Sequence, residues 1–419
     1  MGFSDNQFGF INGRSTTLQL LNFLDECIET YATNGVTDVV YLDFAKAFDS
    51  VPHRRLLGKL RAHGIDGDIL SWIEAFLCGR VQRVSVNGQV SNEENVLSGI
   101  PQGSVLGPLL FVLYINDLPK GLDCVTYLFT DDTKVLKRVQ NLDDSLQLQE
   151  DLTKLEGWSQ QWLLSFHPDK CKILTLGKHE NIPHAYQYKL FDTVLEHIFQ
   201  EKDLGVIIDS DITFEDHIAC KVKKANAVMG LIRRVFTFMD KQMFKKLFTS
   251  LVRLHLEFSQ SVWSPRTRKL INLVESVQIR ATKLVEGMAD MEYSQRLADL
   301  QLTTLAFRRK RGDMIETWKH INVYSACNVP SNFKLCNRPI RSATGRHPFQ
   351  LYKPLAKDGA RGVQNNSFYY RIADTWNKLP EEVVLAGTLN TFKNRLDQHW
   401  SDDPLKWDHT LLWQEVSSE

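Results

Sequence analysis

The chain has 419 residues, and its 50 Lys plus Arg balance 50 Asp plus Glu, so no overall charge bias points to a polyanionic or membrane partner. The length leaves room for about two to four domains, and ordinary apolar and charged content argues against a disordered or fibrous chain. Seven scattered Cys without zinc-ligand spacing, no spanning apolar run, no signal peptide and no myristoylation motif at Met1-Gly2 suggest an intracellular protein with reduced thiols and no membrane partner.

In chain order, Ser15 or Thr16 can cap a helix that carries Leu18, Leu21, Leu24, Cys27, Ile28 and Tyr31 on one face. Asn34-Gly35 ends it. Before it, Phe8-Gly9-Phe10 has no strand or helix to cover it, so both Phe are expected to be exposed. Thr37 to Phe44 is a continuous apolar run closed by Asp43-Phe44, which predicts a buried strand with a carboxylate at its end. Two helices follow, around Leu56–Leu60 and Ile69–Leu77. Asn87-Gly88 then marks a type I′ hairpin between Val81–Val86 and Gln89–Leu97.

Ser98-Gly99-Ile100-Pro101-Gln102-Gly103-Ser104 is a Gly-rich loop opening an apolar helix from Val105 to Leu118. Such loops let backbone N–H groups approach a phosphate or base, although many are only turns. Tyr127 to Val139 reads as a hairpin with Asp131-Asp132 at its tip. Adjacent ionised carboxylates repel, and a divalent cation between them relieves the cost; a solvated turn is the plain alternative. A helix from Leu142 to about Leu164 puts Trp158 and Trp162 on one face, and the strand Ile173–Leu176 follows.

Beyond Asp209 the pattern is helical. Between Lys221 and Lys283, fourteen basic residues face three acidic ones, which leaves about +11 in an otherwise neutral chain. Charge runs are often solvated faces, but one this lopsided suits a polyanion backbone. The tail from Ile321 suggests a helix-like end from Phe368 to Trp400, with no assignable chemistry.

Asp43, Asp131 and Asp132 lie in the strand–helix–helix–hairpin–helix–hairpin order of a split βαβ unit, which would bring both carboxylate strands together. Three converging carboxylates can hold two Mg²⁺ ions about 3.5–4 Å apart for in-line attack at phosphorus.

Tyr41-Leu42-Asp43-Phe44-Ala45-Lys46-Ala47-Phe48-Asp49, Ser98 through Pro108, and Phe129-Thr130-Asp131-Asp132 closely resemble reverse transcriptases of non-LTR, jockey-like retrotransposons. Gln7 to Ser15 resembles that family's fingers motif, Lys170-Cys171 and Leu204-Gly205-Val206 its later palm motifs, and Val252 to Pro265 its thumb. The resemblance implies an α+β polymerase palm with a mainly antiparallel sheet, partial fingers, a helical thumb and a C-terminal region. It implies partial fingers over 1–36, a palm over 37–209 with a fingers insertion near 65–100, a basic thumb over 210–320 and a region without known role over 321–419.

The activity implied is RNA-directed DNA synthesis from dNTPs with two Mg²⁺ ions on a primed RNA template. Asp43, Asp131 and Asp132 would be metal ligands, and Phe44 would offer a backbone carbonyl. Phe48 would exclude a sugar 2′-hydroxyl, and Gln102 and Gly103 would line the nucleotide site. Arg14 would approach template or triphosphate. Lys170, with Lys172 as a rival, would stand near the leaving group. Lys221, Lys223, Lys224, Arg233, Arg234, Lys245 and Lys246 would grip nucleic-acid backbone. Each has a plain reading as core, turn or solvated charge.

Two positions depart from the family pattern, Thr130 for Ala and Leu254 for Pro. The family's first fingers motifs and its endonuclease have no counterpart before Met1, so a truncated element with weak activity is expected. The alternative function is an inactive remnant that at most binds RNA.

Overall fold

A computed structural model describes residues 2–177, 186–323, 333–336, 347–353, 363 and 367–412. The chain divides into two compact units, residues 1–19 with 35–199, and residues 20–34 with 200–419.

Helix α1 spans Thr16–Ala32, and the Ser15 hydroxyl caps it by accepting from Leu18 N–H at 3.1 Å. In the first unit, β1 is Val36–Leu42, α2 His53–Ala62, α3 Gly67–Leu77 and α4 Leu106–Ile115. Then come β2 Val125–Phe129, β3 Asp132–Val139, α5 Leu142–Trp162, β4 Lys172–Leu176 and β5 Glu196–Ile198. The sheet order is β5-β4-β1-β3-β2. Central β1 is antiparallel to β3 and to β4, and β2 is antiparallel to β3. β1 and β2 therefore run parallel with β3 between them, the split βαβ arrangement that the order of elements predicts.

The apolar run of β1 is buried along nearly its whole length because both sheet faces are covered. Val40, Leu60, Phe111, Tyr114, Leu128, Val135, Leu152 and Ile173 share its core. α4 is apolar all round, and seven of its ten residues are buried. Lys59 enters this core with its Nζ 2.5 Å from Asp117 and 3.7 Å from the Trp162 ring centre. An ammonium is tolerated there because carboxylate and aromatic faces replace its water.

Two expectations change. Phe8 is buried rather than exposed, while Phe10 is 65% exposed. Residues 6–8 lie parallel along the outer edge of β2: Phe8 N–H donates to Leu128 at 2.7 Å, and Leu128 N–H donates to Asn6 at 2.8 Å. An unpaired strand edge offers those groups to any extended segment within reach. Ile69 and Trp72 face solvent from α3, whose buried side is Leu70, Ile73 and Leu77. Asn87 and Gly88 do form the left-handed turn, at φ 50° and 81°. The flanking strands shrink to the pairs Ser85–Val86 with Gln89–Val90 and Val81–Gln82 with Glu94–Asn95, exposed throughout.

The second unit opens with the hairpin Gln200–Asp203 and Val206–Asp209, then turns helical. Helix α6, Glu215–Val235, buries Ile218, Val222, Ala225, Met229 and Ile232 at helical spacing. Trp263, Trp376, Phe244, Phe248 and Phe392 are among the large side chains fully buried in this unit. The helix-like end expected from Phe368 is three helices, Phe368–Asn377, Glu381–Val384 and Leu389–His399. Pro380 and Gly387 fall at its breaks, where neither favours continuing a helix.

Candidate active site

Leu42 at the end of β1 stands opposite Thr133 of β3. Asp43 is the next residue along β1 and Asp132 the residue before Thr133, so the register carries both to one end of the sheet. Residues directly opposite on neighbouring strands project to the same face. Phe129 pairs with Asp132, leaving Thr130 and Asp131 as a two-residue turn. The acidic pair is thus divided: Asp131 occupies the turn and Asp132 begins the return strand.

Burial pushes the Asp131 carboxyl above the usual carboxylate range, and the negative charge of Asp43 adds to the rise. The Asp43 carboxylate lies 3.1 Å from Lys170 Nζ, whereas Lys172 stands on β4 opposite Tyr41. Among the described residues, no three His, Cys, Asp or Glu side chains are gathered to hold a metal ion. The expected closed cluster of three carboxylates is therefore not formed as the side chains lie, with Asp43 turned to Lys170. Two carboxylates close enough to disturb each other, one half-buried, still form an oxygen donor set that fits a hard cation.

The backbone around Asp43 is fixed from β4's approach. His167 N–H donates to the Asp43 carbonyl at 2.8 Å, and Ala45 N–H to Ser165 at 2.8 Å. The Phe44 carbonyl is outside this pairing, while the Phe44 ring stacks on Phe166 at 4.5 Å. Asp43 N–H donates to Cys171 Sγ at 3.4 Å. Burial pushes the Cys171 thiol up to about 11, so it serves here as a neutral acceptor.

The Gly-rich loop is laced to the turn after β1. Gly99 N–H donates to Val51 at 2.9 Å and Ile100 N–H to Phe48 at 2.8 Å. The Ser98 hydroxyl donates to the Asp49 carbonyl at 3.0 Å, and Gln102 Nε2 to Asp49 Oδ1 at 3.0 Å. A Cβ at Gly99 would stand 2.7 Å from the Asp49 carbonyl oxygen, so only glycine fits. These bonds bring exposed Gln102 and Gly103 beside Phe48, which is half-buried and stacked on Phe111 at 4.5 Å.

Arg14 is not part of this surface. Its Nη1 donates to the carbonyls of Ser4 at 2.8 Å and Asp5 at 3.0 Å and also to that of Gln7, while Nη2 reaches Asp5 Oδ1 at 3.1 Å. The side chain is only 7% exposed. The expectation that it meets template or triphosphate is corrected: its planar fork is spent ordering the loop over residues 4–7. Gln7, left without a role by the sequence, is fully buried, and its Oε1 accepts from Gly9 N–H at 2.7 Å and Thr130 N–H at 2.9 Å.

In the second unit, Lys223, Lys224, Arg233 and Arg234 are exposed on α6, and Lys246 on the helix Lys241–Leu247. Lys221 lies 5.4 Å from the Phe258 ring centre, its pKa lowered by burial and by Lys224. Lys245 donates to Gln301 at 3.0 Å. Other members of the basic run are engaged within the fold: Arg253 pairs with Glu257 at 3.4 Å and Lys241 with Asp299 at 3.1 Å. Burial lowers Arg266 to about 10. The charge offered outward is therefore smaller than the sequence count.

The family model described as reverse transcriptase (RNA-dependent DNA polymerase) matches residues 1–210. The chain is 25% identical over 296 residues to the probable RNA-directed DNA polymerase from transposon X-element of Drosophila melanogaster, covering 68% of this chain and 32% of that one. It is 26% identical over 297 residues to the RNA-directed DNA polymerase from mobile element jockey of Drosophila funebris, covering 67% and 32%. The chain thus spans about a third of the length of these relatives. Apo telomerase from Candida tropicalis is a structural neighbour at TM-score 0.38 and 11% identity, covering 71% of this chain and 50% of that one.

Proposed function

The chain belongs to the reverse transcriptase (RNA-dependent DNA polymerase) family, and from that premise we propose that it extends a DNA primer on an RNA template. The observation that carries this reading is the β1–β3 register, with Leu42 opposite Thr133, which puts Asp43 beside Asp132 next to the turn holding Asp131.

The chemistry would form a bond between the primer 3′-oxygen and the α-phosphorus of a dNTP. The bond from that phosphorus to pyrophosphate breaks, and the 3′-hydroxyl loses its proton. Reverse transcriptases work with divalent metal; two Mg²⁺ ions, held by Asp43, Asp131 and Asp132 with the Phe44 carbonyl, would acidify the hydroxyl and neutralise triphosphate charge. Asp131 keeps a site of negative charge in a half-buried place where cation binding is favoured. Lys170 balances Asp43 until nucleotide arrives and then stands ready for the leaving pyrophosphate. Phe48, backed by Phe111, would lie against the sugar, where a 2′-hydroxyl meets a ring that cannot yield. Gln102, oriented by Asp49, and Gly103 would flank the nucleotide with its template base. Lys223, Lys224, Arg233, Arg234 and Lys246, with Lys221 and Lys245, would bind phosphates without reading sequence.

Primer extension by purified protein tests the reading. Asp131→Asn should reduce extension by at least ~100-fold while leaving template–primer binding within ~2-fold, because charge at the metal site acts on the transition state. Equal extension by wild type and Asp131→Asn would refute it. A second reading, nucleic-acid binding without catalysis, is favoured by the pairing of Asp43 with Lys170 and by the lack, among the described residues, of three gathered metal-ligating side chains.

A further inference from the structure

Thr130 precedes Asp131 in the two-residue turn with φ 57°, in the left-handed region. A β-branched side chain is unfavourable there, so something outside the hairpin must hold the conformation. Residues 6–9 do so. They lie along the edge of β2, and Gln7 Oε1 reaches across to accept the Thr130 N–H at 2.9 Å. The same oxygen accepts Gly9 N–H at 2.7 Å. Both neighbours are donors, so the amide oxygen must face them. Among the described residues Gln7 Nε2 is buried without a partner, so the side chain works through its oxygen alone. Gly9 packs so closely that a Cβ would lie 2.5 Å from both Thr130 N and Thr130 Oγ1. The Asn6 side chain adds a 3.0 Å bond to the Thr126 carbonyl on β2, and Arg14 ties down the carbonyls of residues 4, 5 and 7.

We infer that Gln7 is a positioning residue for the acidic turn: its Oε1 clamps the Thr130 amide and so sets where Asp131 presents its carboxylate. This rests on the reading of Asp131 as a metal ligand. Gln7 lies far from Asp131 in sequence and does not itself touch the reacting atoms. The loss of its oxygen frees a buried N–H beside a strained residue, and the turn relaxes to satisfy it. The carboxylates then no longer face a cation from fixed places.

The test uses the full chain and Mn²⁺, followed by electron paramagnetic resonance, with primer extension, template–primer binding and thermal melting measured in parallel. Gln7→Met keeps the buried volume and removes the acceptor oxygen; Gln7→Glu keeps an acceptor oxygen at the same reach but puts a carboxyl group in place of the amide. Gln7→Met should weaken Mn²⁺ binding about 10-fold and slow extension about 100-fold, with template–primer affinity unchanged. Gln7→Glu should restore both to within about 3-fold of wild type. If Gln7→Met does not fold, Gln7→Asn, one methylene short of the turn, carries the same expectation. Mn²⁺ binding that depends on Asp131 but not on Gln7 overturns the inference alone. Wild-type Mn²⁺ binding indifferent to Asp131→Asn overturns the functional reading and this inference with it.

Discussion

Replacing Gly99 by Ala should disable the Gly-rich loop through sterics alone. Gly99 has φ 91°, and an added Cβ would meet the Asp49 carbonyl oxygen at 2.7 Å, its Cα at 2.9 Å and its carbonyl carbon at 3.0 Å. All three are backbone atoms, so the turn after β1 must move. An L side chain in the left-handed region costs about 1–2 kcal/mol, and overpacking that shifts backbone costs about 1–3 kcal/mol more. The total expected is about 2–5 kcal/mol. Gly103→Ala is the control, because its φ is 80° but nothing lies within 4 Å of the added Cβ. It should lose only the conformational part, about 1–2 kcal/mol. Denaturation followed by tryptophan fluorescence reads both. The same displacement reaches the site, since Ile100 N–H is bonded to Phe48 and Gln102 to Asp49. A shift of about 1 Å there should slow single-nucleotide extension by up to ~100-fold. A Gly99→Ala protein within about 0.5 kcal/mol of wild type, or no less stable than Gly103→Ala, would refute the packing argument.

Arg14→Ala should destabilise the segment over residues 4–9 by about 2–3 kcal/mol, since a buried, charge-assisted set of bonds to carbonyls is removed. Hydrogen exchange at Phe8 and Leu128 should accelerate, and Arg14→Lys should rescue little because an ammonium lacks the planar fork; unchanged exchange with weaker dNTP binding would instead return Arg14 to the nucleotide. Changing Lys223, Lys224, Arg233 and Arg234 together to Ala should flatten the dependence of log affinity on log salt by about 0.7–0.9 for each phosphate that is no longer neutralised. A slope equal to wild type would mean that this exposed face of α6 does not meet phosphate.

The sequence by itself determined the features that are written within a few residues. β1 follows from its apolar run, the carboxylate from its place at that run's end, and the hairpin from alternation on both sides of Asp131-Asp132, although its turn is Thr130-Asp131. The Asn87-Gly88 turn and the Ser15 cap are local chemistry of the same kind, and these features carry α+β class and the split βαβ order. The tertiary structure decided what distant residues do to one another. Arg14 and Lys170 both read as available cations, yet one is spent on loop carbonyls and the other lies on Asp43. Phe8 is covered because β2 had an open edge, which neither segment reveals alone. The basic run keeps only part of its charge outward because Arg253, Arg266 and Lys241 find partners or burial within the helical unit. Gln7 opens the segment that resembles the fingers motif, but nothing in the sequence gives its side chain a partner. Its partner, the Thr130 amide, is 123 residues away, and only the folded chain brings that donor to its oxygen.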